Sequence, residues 1–340
     1  MSAPIGVLLV NLGTPDSPGT RDVRRYLREF LSDPLVIDLP APLRWLLLHA
    51  VILPFRPGRS ARAYRAIWTE QGSPLLVHSR SFATALAKDL GGDYHVELAM
   101  RYGRPSLGPA LERLQATGVE RLIVVPLFPQ QAAPSSGSAA LHVRAGVERT
   151  KGLPEPEILG PFFDDPAYVA VLAEGTQAAL DTFEPDHLLM SFHGLPVRQI
   201  LATDPTGRHC LASENCCLGG EAVRWCYRAQ CLSTARALAS ALGLPDERSS
   251  IAFQSRLGRT AWIRPYLDDR LVELATAGVR RLAVVCPSFV ADCLESLEEI
   301  GIRGRERWLG LGGQDFHLVP CPNAQPAWVS AVADRIRTPA

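Results

Sequence analysis

The sequence predicts an α/β protein made of two similar halves, each with a parallel β-sheet. Two internal correspondences carry this prediction. Segments 107–125 and 267–285 repeat at an offset of 160 residues (267 minus 107). Each reads as an amphipathic helix, a glycine C-cap and a buried strand. Segments 8–15 and 188–196 are both apolar runs that end in Gly-x-Pro. The chain of 340 residues also has the length of two ordinary domains.

The long repeat is matched along its whole length without a gap. Leucines recur at 107/267, 111/271, 114/274 and 122/282, and a glycine recurs at 118/278. Chance similarity between two helix–strand units is the alternative to duplication. We expect the halves to join near residues 160–180, with a shared site in the cleft between them.

Composition and charge exclude several classes of protein. Lys+Arg and Asp+Glu balance at 35 each, so no basic field recruits nucleic acid. The first residues lack the charged start and apolar core of a signal peptide, and no stretch has the apolar length of a membrane span. A protein located in the cytoplasm is therefore expected. Segment 13–16 carries one glycine and an acid, which argues against a phosphate-binding loop.

His193 is the first candidate for chemistry. It follows the apolar run 187–190, which predicts a buried strand, and Gly194 and Pro196 then end that strand. Ligands of open α/β sheets bind beyond the carboxyl ends of strands. A histidine there can accept a proton or bind a metal near neutral pH, whereas the alternative is a core histidine satisfied by a carbonyl.

A second strand end leads into an acidic segment at 292–299. If this segment is helical, Asp292, Glu295 and Glu299 lie at i, i+3 and i+7 on one face. Carboxylates facing a histidine suit a hard divalent cation and proton transfer. A solvated helix face is the alternative.

Segment 41–55 is strongly apolar and is followed by Arg56, Arg59, Arg62 and Arg65. It is too short to span a bilayer, and a buried helix is the favoured interpretation. The functional alternatives are an apolar lip for a flat ligand or a contact with a membrane surface. The arginines behind it could pair with carboxylates of a ligand.

Taken in order, the motifs resemble the ferrochelatase family, whose members insert ferrous iron into a porphyrin. The resemblance covers nearly the whole chain. It is carried by segments 6–15, Tyr64 with 72–75, 99–103, 126–131, 191–196, 253–262 and 292–297. Departures are Cys293 where many members have histidine, Leu12 where some have tyrosine or methionine, and 131–135, which lacks the usual Tyr-Ser start.

The resemblance implies a fold and a reaction. The fold would be two Rossmann-like, chelatase-type domains at 1–165 and 166–325, with a C-terminal helix at 326–340 packing back on the first. The activity would be that of a lyase-type metal chelatase in haem biosynthesis, which forms protohaem from Fe²⁺ and protoporphyrin IX. Coproporphyrin III as the substrate and a non-catalytic porphyrin or haem carrier are the alternatives.

The resemblance also assigns roles to individual residues. His193 and Glu295 would be catalytic, and both, with Asp292 and Glu299, would meet the incoming Fe²⁺. The porphyrin would be bound by Leu12, Arg56, Tyr64, Ser73, Arg101, Tyr102 and Trp262.

Five of the eight cysteines are crowded between positions 210 and 231. Some ferrochelatases carry a [2Fe–2S] cluster on an internal cysteine segment, and 208–225 resembles such an insertion. Four thiolates can hold this cluster, tetrahedral zinc is the rival, and unmetallated cysteines rank third. A cluster needs four of the five cysteines, and the sequence leaves open which one is spare among Cys210, Cys216, Cys217, Cys226 and Cys231.

Overall fold

The chain divides into two compact α/β units, each with its own four-stranded parallel sheet. A computed structural model describes residues 3–213, 215–218, 220–258 and 260–338. The first unit comprises Met1–Phe128, Ala132–Gly160 and Asn323–Ala340, and the second comprises Pro129–Gln131 and Pro161–Pro322. The chain therefore passes from the first unit to the second mainly between residues 160 and 161. The boundary expected from the sequence was between residues 165 and 166. The predicted α/β fold with two similar domains is confirmed.

The first unit alternates strands and helices from its first residues. Its strands are β1 (Ile5–Thr14), β2 (Tyr94–Gly103), β3 (Arg121–Pro126) and β4 (Pro156–Ile158). Its helices up to residue 149 are α1 (Thr20–Ser32), α2 (Ala41–Leu46), α3 (Leu53–Ile67), α4 (Pro74–Leu90), α5 (Leu107–Ala116) and α6 (Ser138–Arg149). Two π-helical segments, Leu47–Ile52 and Ala133–Gly137, precede α3 and α6.

The second unit repeats this arrangement. Its strands are β5 (His187–His193), β6 (Ser249–Gln254), β7 (Arg281–Val285) and β8 (Asp315–Leu318). Its helices are α7 (Pro166–Phe183), α8 (Val197–Ala202), α9 (Tyr227–Ala241), α10 (Leu267–Thr276) and α11 (Arg305–Gly310). Short 3₁₀ turns lie at Gly220–Arg224 and Asp246–Arg248, and a π-helix spans Leu294–Gly304.

The two sheets have the same strand order. It is β2-β1-β3-β4 in the first unit and β6-β5-β7-β8 in the second, and all pairings are parallel. In each sheet the first strand along the chain lies between the second and the third. The carboxyl ends of β1 and β5 are therefore switch points, where α/β sheets bind ligands.

The sequence repeat places equivalent residues in equivalent cores. Leu111, Leu114 and Leu122 are buried in one core cluster, and Leu271, Leu274 and Leu282 are buried in the other. Gly118 and Gly278 follow α5 and α10 with φ of 69° and 91°, a conformation that glycine adopts without strain. Both predicted helix–glycine–strand units are thus present.

The last helix, α12 (Pro326–Arg337), belongs to the first unit, where it packs on α4. The rings of Phe82 and Trp328 stack 5.9 Å apart, and Arg337 pairs with Asp89 at 2.8 Å. Among the described residues, none of the helices combines the length and the apolar character needed to cross a membrane.

Candidate active site

His193 is the last residue of β5, at the carboxyl edge of the second unit's sheet. Its ring atom Nδ1 lies 2.6 Å from the carbonyl oxygen of Gly194. A carbonyl only accepts, so Nδ1 carries the hydrogen and the neutral ring has its lone pair on Nε2. The hydroxyl of Tyr227 donates to the backbone carbonyl of His193 at 2.7 Å, and Phe289 faces the ring edge-on. His193 is therefore held in the tautomer that can accept a proton or bind a metal through Nε2.

Gln254, the last residue of β6, links the His193 strand to the acidic segment. Its side-chain oxygen accepts from Ser191 at 2.7 Å, and Nε2 donates to the carbonyl of Glu295 at 2.9 Å. Its backbone carbonyl accepts from the amide of Gly194 at 2.9 Å. Gln254 is 2% exposed, so these bonds are shielded from water. One buried amide thus fixes the surroundings of both proposed catalytic residues, a role that the sequence analysis did not assign.

The acidic segment is a π-helix rather than the expected α-helix. The helix begins at Leu294 with Cys293 as its N-cap, so Asp292 precedes it and does not share a helical face with the two glutamates. Asp292 is buried, and its Oδ1 accepts from the amide of Cys321 at 3.2 Å and from Ser296 at 3.3 Å. The predicted i, i+3, i+7 stripe over these three acids is wrong, because a π-helix with i→i+5 bonds has a wider turn.

Glu299 is bound to the turn that follows β6. Its Oε1 accepts from the amide of Ser255 at 2.8 Å, and its Oε2 accepts from the hydroxyl of Ser255 at 2.6 Å. Nε2 of Gln254 lies 3.4 Å from Oε2. Both carboxylate oxygens of Glu299 are therefore engaged with protein donors.

Trp262 lies in the segment that pairs with the residues after His193. It forms a β-bridge with Pro196, and the amide of Ile263 donates to the carbonyl of Leu195 at 3.0 Å. The indole Nε1 donates to the carbonyl of Leu257 at 3.0 Å. Trp262 is thus fixed to the His193 turn at one end and to Leu257 at the other.

Arg101 and Tyr102, in β2 of the first unit, converge on a carboxylate that the sequence analysis missed. Oδ2 of Asp33 accepts from Arg101 at 2.6 Å, from the Tyr102 hydroxyl at 2.8 Å and from the Ser138 hydroxyl at 2.6 Å. Burial acts to raise the pKa of the Asp33 carboxyl, but hydrogen bonds from Ser138, Leu35 and Tyr102 and the Arg101 charge lower it overall. No local motif marks Asp33, because the side chains that bond to it lie 68 or more residues away.

The other expected porphyrin-binding residues of the first unit differ in exposure. Tyr64 and Ser73 are buried at 6% and 3%, and Ser73 accepts from the Thr14 hydroxyl at 2.8 Å. Tyr102 is 1% exposed, and burial raises the pKa of its phenol. Leu12 and Arg56 are partly exposed.

Segment 41–55 is not the buried helix that was the favoured interpretation. It forms α2, a π-helical segment and the start of α3, and five of its large apolar side chains are exposed, whereas Leu48 and Leu53 are buried. The five exposed fractions are 55% at Leu43, 61% at Trp45, 54% at Leu46, 53% at Val51 and 79% at Phe55. The prediction of burial is wrong because no other element of this unit covers this face in the described structure.

The cysteine-rich segment brings several sulfur atoms together. The Sγ atoms of Cys216 and Cys217 are 3.7 Å apart. Interaction with the Cys217 side chain lowers the pKa of the Cys226 thiol, and Cys210 opposes this shift. Cys231 lies in α9 in contact with Tyr227, and burial raises the pKa of its thiol. Within the described part of the chain, no three His, Cys, Asp or Glu side chains form a group that could hold a metal ion.

Polar groups around these cysteines orient the sulfur atoms. The Asp204 carboxylate accepts from the amides of His209 and Cys210 at 2.7 and 2.8 Å. Backbone N–H of Leu211 donates to Sγ of Cys216 at 3.3 Å, and Arg228 donates to Sγ of Cys217 at 3.2 Å. Donors of this kind stabilise thiolate sulfur.

Comparison with known proteins identifies the family of the chain. The ferrochelatase family profile matches residues 4–340. A ferrochelatase of Coxiella burnetii is 47% identical over 329 residues, covering 97% of this chain and 92% of the relative. One from Azotobacter vinelandii is 50% identical over 339 residues, covering 98% of each chain. SirB from Bacillus subtilis, solved with Fe³⁺, has a TM-score of 0.57 at 12% identity, with 98% of this chain and 94% of SirB covered, which shows a shared fold. The chain belongs to the ferrochelatase family.

Proposed function

We propose that this protein is a metal chelatase that inserts Fe²⁺ into protoporphyrin IX and forms protohaem with release of two protons. The observation that carries the proposal is the fixed tautomer of His193, whose Nε2 lone pair is available at a sheet switch point. The membership of the chain in the ferrochelatase family identifies the class of reaction.

Proton removal is the step that His193 would perform. A free-base porphyrin loses two N–H protons as the metal enters, so a neutral imidazole near the ring nitrogens acts as a general base. His193 would take a proton at Nε2, and Glu295 would accept it onward. Gln254 supports this pairing, because it bonds to the amide of Gly194 and to the carbonyl of Glu295.

The metal substrate would approach through carboxylates and imidazole. Ferrous iron accepts both kinds of ligand. Glu295, Asp292 and Glu299 follow β7 in one segment, and we propose that Glu295 with His193 meets the ion at the ring. Asp292, which is 7% exposed, would act from the protein interior.

Porphyrin binding would involve Trp262 in the second unit and Leu12, Arg56, Tyr64, Ser73, Arg101 and Tyr102 in the first. The burial of Tyr64, Ser73 and Tyr102 supports a role behind the binding surface for these three. Partly exposed Leu12 and Arg56 are better placed for direct contact. Contacts spread around the macrocycle could saddle it and expose pyrrole lone pairs to the metal.

The test is anaerobic incubation of the purified protein with Fe²⁺ and, separately, protoporphyrin IX and coproporphyrin III. Formation of the metalloporphyrin is followed by absorbance, with His193→Ala and Glu295→Gln measured alongside. We expect turnover with protoporphyrin IX and a loss of at least about 100-fold in both variants, the usual effect of removing a general base. Faster turnover of coproporphyrin III would identify that porphyrin as the substrate instead. Tight porphyrin binding without insertion would indicate a carrier.

We also propose that Cys210, Cys216, Cys217 and Cys226 hold a [2Fe–2S] cluster, with Cys231 as the spare cysteine. Two thiolates on one tetrahedral metal, with bonds of about 2.3 Å, lie about 3.8 Å apart. The 3.7 Å separation of the Cys216 and Cys217 sulfurs fits such a pair. The contact between Cys210 and Cys226 supports them as the second pair, and the amide and guanidinium donors fit thiolate ligands. The cluster would supply a structural or sensory centre, because insertion itself transfers no electrons.

Iron, acid-labile sulfide and zinc analysis of anaerobically purified protein tests this proposal, together with electron paramagnetic resonance after reduction. We expect two iron and two sulfide per chain. Cys210→Ser, Cys216→Ser, Cys217→Ser and Cys226→Ser should each lose the signal, while Cys231→Ala should keep it. Zinc without sulfide, or no metal, would contradict the cluster.

For the exposed apolar face of 41–55 we propose a peripheral contact with a lipid surface. Trp45 and Phe55 are 61% and 79% exposed, and Arg56 follows directly. Such a combination binds anionic lipid interfaces. Co-flotation with vesicles containing phosphatidylglycerol should be lost in the double variant Trp45→Ser and Phe55→Ser. Equal flotation of both proteins would contradict the contact.

A further inference from the structure

Ser255 has a backbone conformation that is unfavourable for its side chain. It directly follows the last residue of β6, and its φ is 67°. Residues other than glycine seldom occupy this left-handed region, and they keep it only when the surroundings enforce it. Something in the second unit must therefore hold the turn at Ser255.

Glu299 supplies that restraint. Its two carboxylate oxygens accept separately from the amide and the hydroxyl of Ser255, at 2.8 and 2.6 Å. Hydrogen bonds to a charged acceptor are stronger than neutral ones, and two of them fix both the position and the orientation of the donor residue. Glu299 sits inside the π-helix, so the clamp ties that helix to the end of β6.

The turn at Ser255 begins the segment that leads to Trp262. Two residues after Ser255, the carbonyl of Leu257 accepts the indole hydrogen of Trp262 at 3.0 Å. Trp262 in turn pairs with Pro196, three residues after His193. The conformation of Ser255 therefore determines where the carbonyl that anchors Trp262 lies.

We propose that Glu299 is a positioning residue, which holds Ser255 in its left-handed conformation and so seats Trp262 for the porphyrin. The proposal rests on the function proposed above, in which Trp262 contacts the macrocycle. It gives Glu299 a different task from Glu295. A metal ion on Oε2 of Glu299 would compete with the Ser255 hydroxyl for that oxygen. In Glu295, by contrast, Gln254 bonds to the backbone carbonyl and not to the carboxylate.

Two substitutions at Glu299 separate the clamp from a metal ligand. Glutamine keeps one acceptor oxygen for the Ser255 amide, whereas alanine keeps none. Glu299→Ala is expected to weaken metal-free binding of protoporphyrin IX about tenfold, through loss of two charge-assisted bonds. Glu299→Gln is expected to weaken it by less than about threefold, since one of the bonds persists. The dissociation constant is measured by absorbance titration, and KM for Fe²⁺ is measured in the insertion assay.

A rescue experiment tests the link to Ser255. Glycine adopts a positive φ without strain, so Ser255→Gly removes the need for the clamp. We expect Ser255→Gly combined with Glu299→Ala to bind porphyrin within about threefold of the wild type, because the turn no longer depends on the carboxylate. Glu298→Ala, which removes a carboxylate of the same helix that pairs with Arg303, is the matched control and should bind normally.

The opposite pattern would overturn the proposal. It consists of a rise in KM for Fe²⁺ in both Glu299→Gln and Glu299→Ala with unchanged porphyrin binding. A loss of porphyrin binding in Glu299→Ala that Ser255→Gly does not restore would also overturn it. If the wild type binds porphyrin but does not insert iron, the proposed function is contradicted and the clamp is not, because the clamp is tested by porphyrin binding. Failure of the wild type to bind porphyrin would overturn both.

Discussion

The amide of Gly194 donates a 2.9 Å hydrogen bond to the carbonyl oxygen of Gln254, and a Cβ at Gly194 would lie only 2.7 Å from that oxygen. The same Cβ would lie 3.2 Å from the indole of Trp262. Gly13, in the related Gly-x-Pro of the first unit, meets the carbonyl of Tyr102 in the same way. Both glycines are thus required where the chain passes close to the carbonyl of the neighbouring strand.

Gly194→Ala is expected to destabilise the protein by about 2 kcal/mol, because the methyl group must displace backbone or the Trp262 ring. The free energy of unfolding from urea titration measures the loss. Gly108→Ala in α5 is the control, since nothing lies within 4 Å of its Cβ position. That substitution should be neutral or slightly stabilising. Equal stability of Gly194→Ala and Gly108→Ala would refute the close-contact argument.

Asp33 is expected to stabilise the first unit by neutralising Arg101. The side chains of these residues are 6% and 16% exposed, and the pair is therefore poorly solvated. Asp33→Asn keeps the shape but leaves the guanidinium without a counter-charge, and breaking a buried pair costs about 3 kcal/mol. The measurement is again the urea unfolding free energy.

The surface pair Arg337–Asp89 provides the comparison for Asp33. Its side chains are 40% and 32% exposed, so solvent screens the interaction. Asp89→Asn should therefore cost much less than Asp33→Asn. If Asp33→Asn costs no more than Asp89→Asn, the Asp33–Arg101 pair does not stabilise the unit as we argue.

The fold could be predicted because its signals are local. Apolar spacing and the glycine after each helix identified both helix–strand repeats, and Leu111 and Leu271 occupy equivalent cores. Burial of segment 41–55 was predicted wrongly, since exposure of Trp45 depends on whether another element covers it. The apolar composition of a segment does not show whether another element packs on it.

The site could be predicted only in part, for physical reasons. His193 is marked by its place at a strand end, and the structure puts it there. Asp33 could not be found, because its contact with Arg101 spans 68 residues and no pattern joins them. The face expected for Asp292 and Glu299 does not form, because Asp292 precedes the helix and the segment is a π-helix, whereas the i, i+3, i+7 spacing assumes 3.6 residues per turn.

His142 in α6 is expected to make stability depend on pH between about 6.5 and 4. Burial and the nearby charges of Arg101 and Arg149 lower the pKa of His142 to about 4, while Asp33 opposes this shift. Between these values the unfolded chain binds a proton that the folded protein does not. The stabilisation is therefore complete above about pH 6.5, the usual histidine pKa, and is lost as the pH falls towards 4.

His142→Gln removes this titration and keeps a polar, uncharged side chain. Its unfolding free energy should fall less than that of the wild type between pH 7.5 and 4.5, while other titrating groups affect both proteins equally. Chemical unfolding at a series of pH values gives the two slopes, and the comparison at pH 7.5 corrects for any loss of packing. Parallel slopes would mean that His142 takes up a proton as readily in the folded protein as in the unfolded chain, which would contradict the effect of burial and of Arg101.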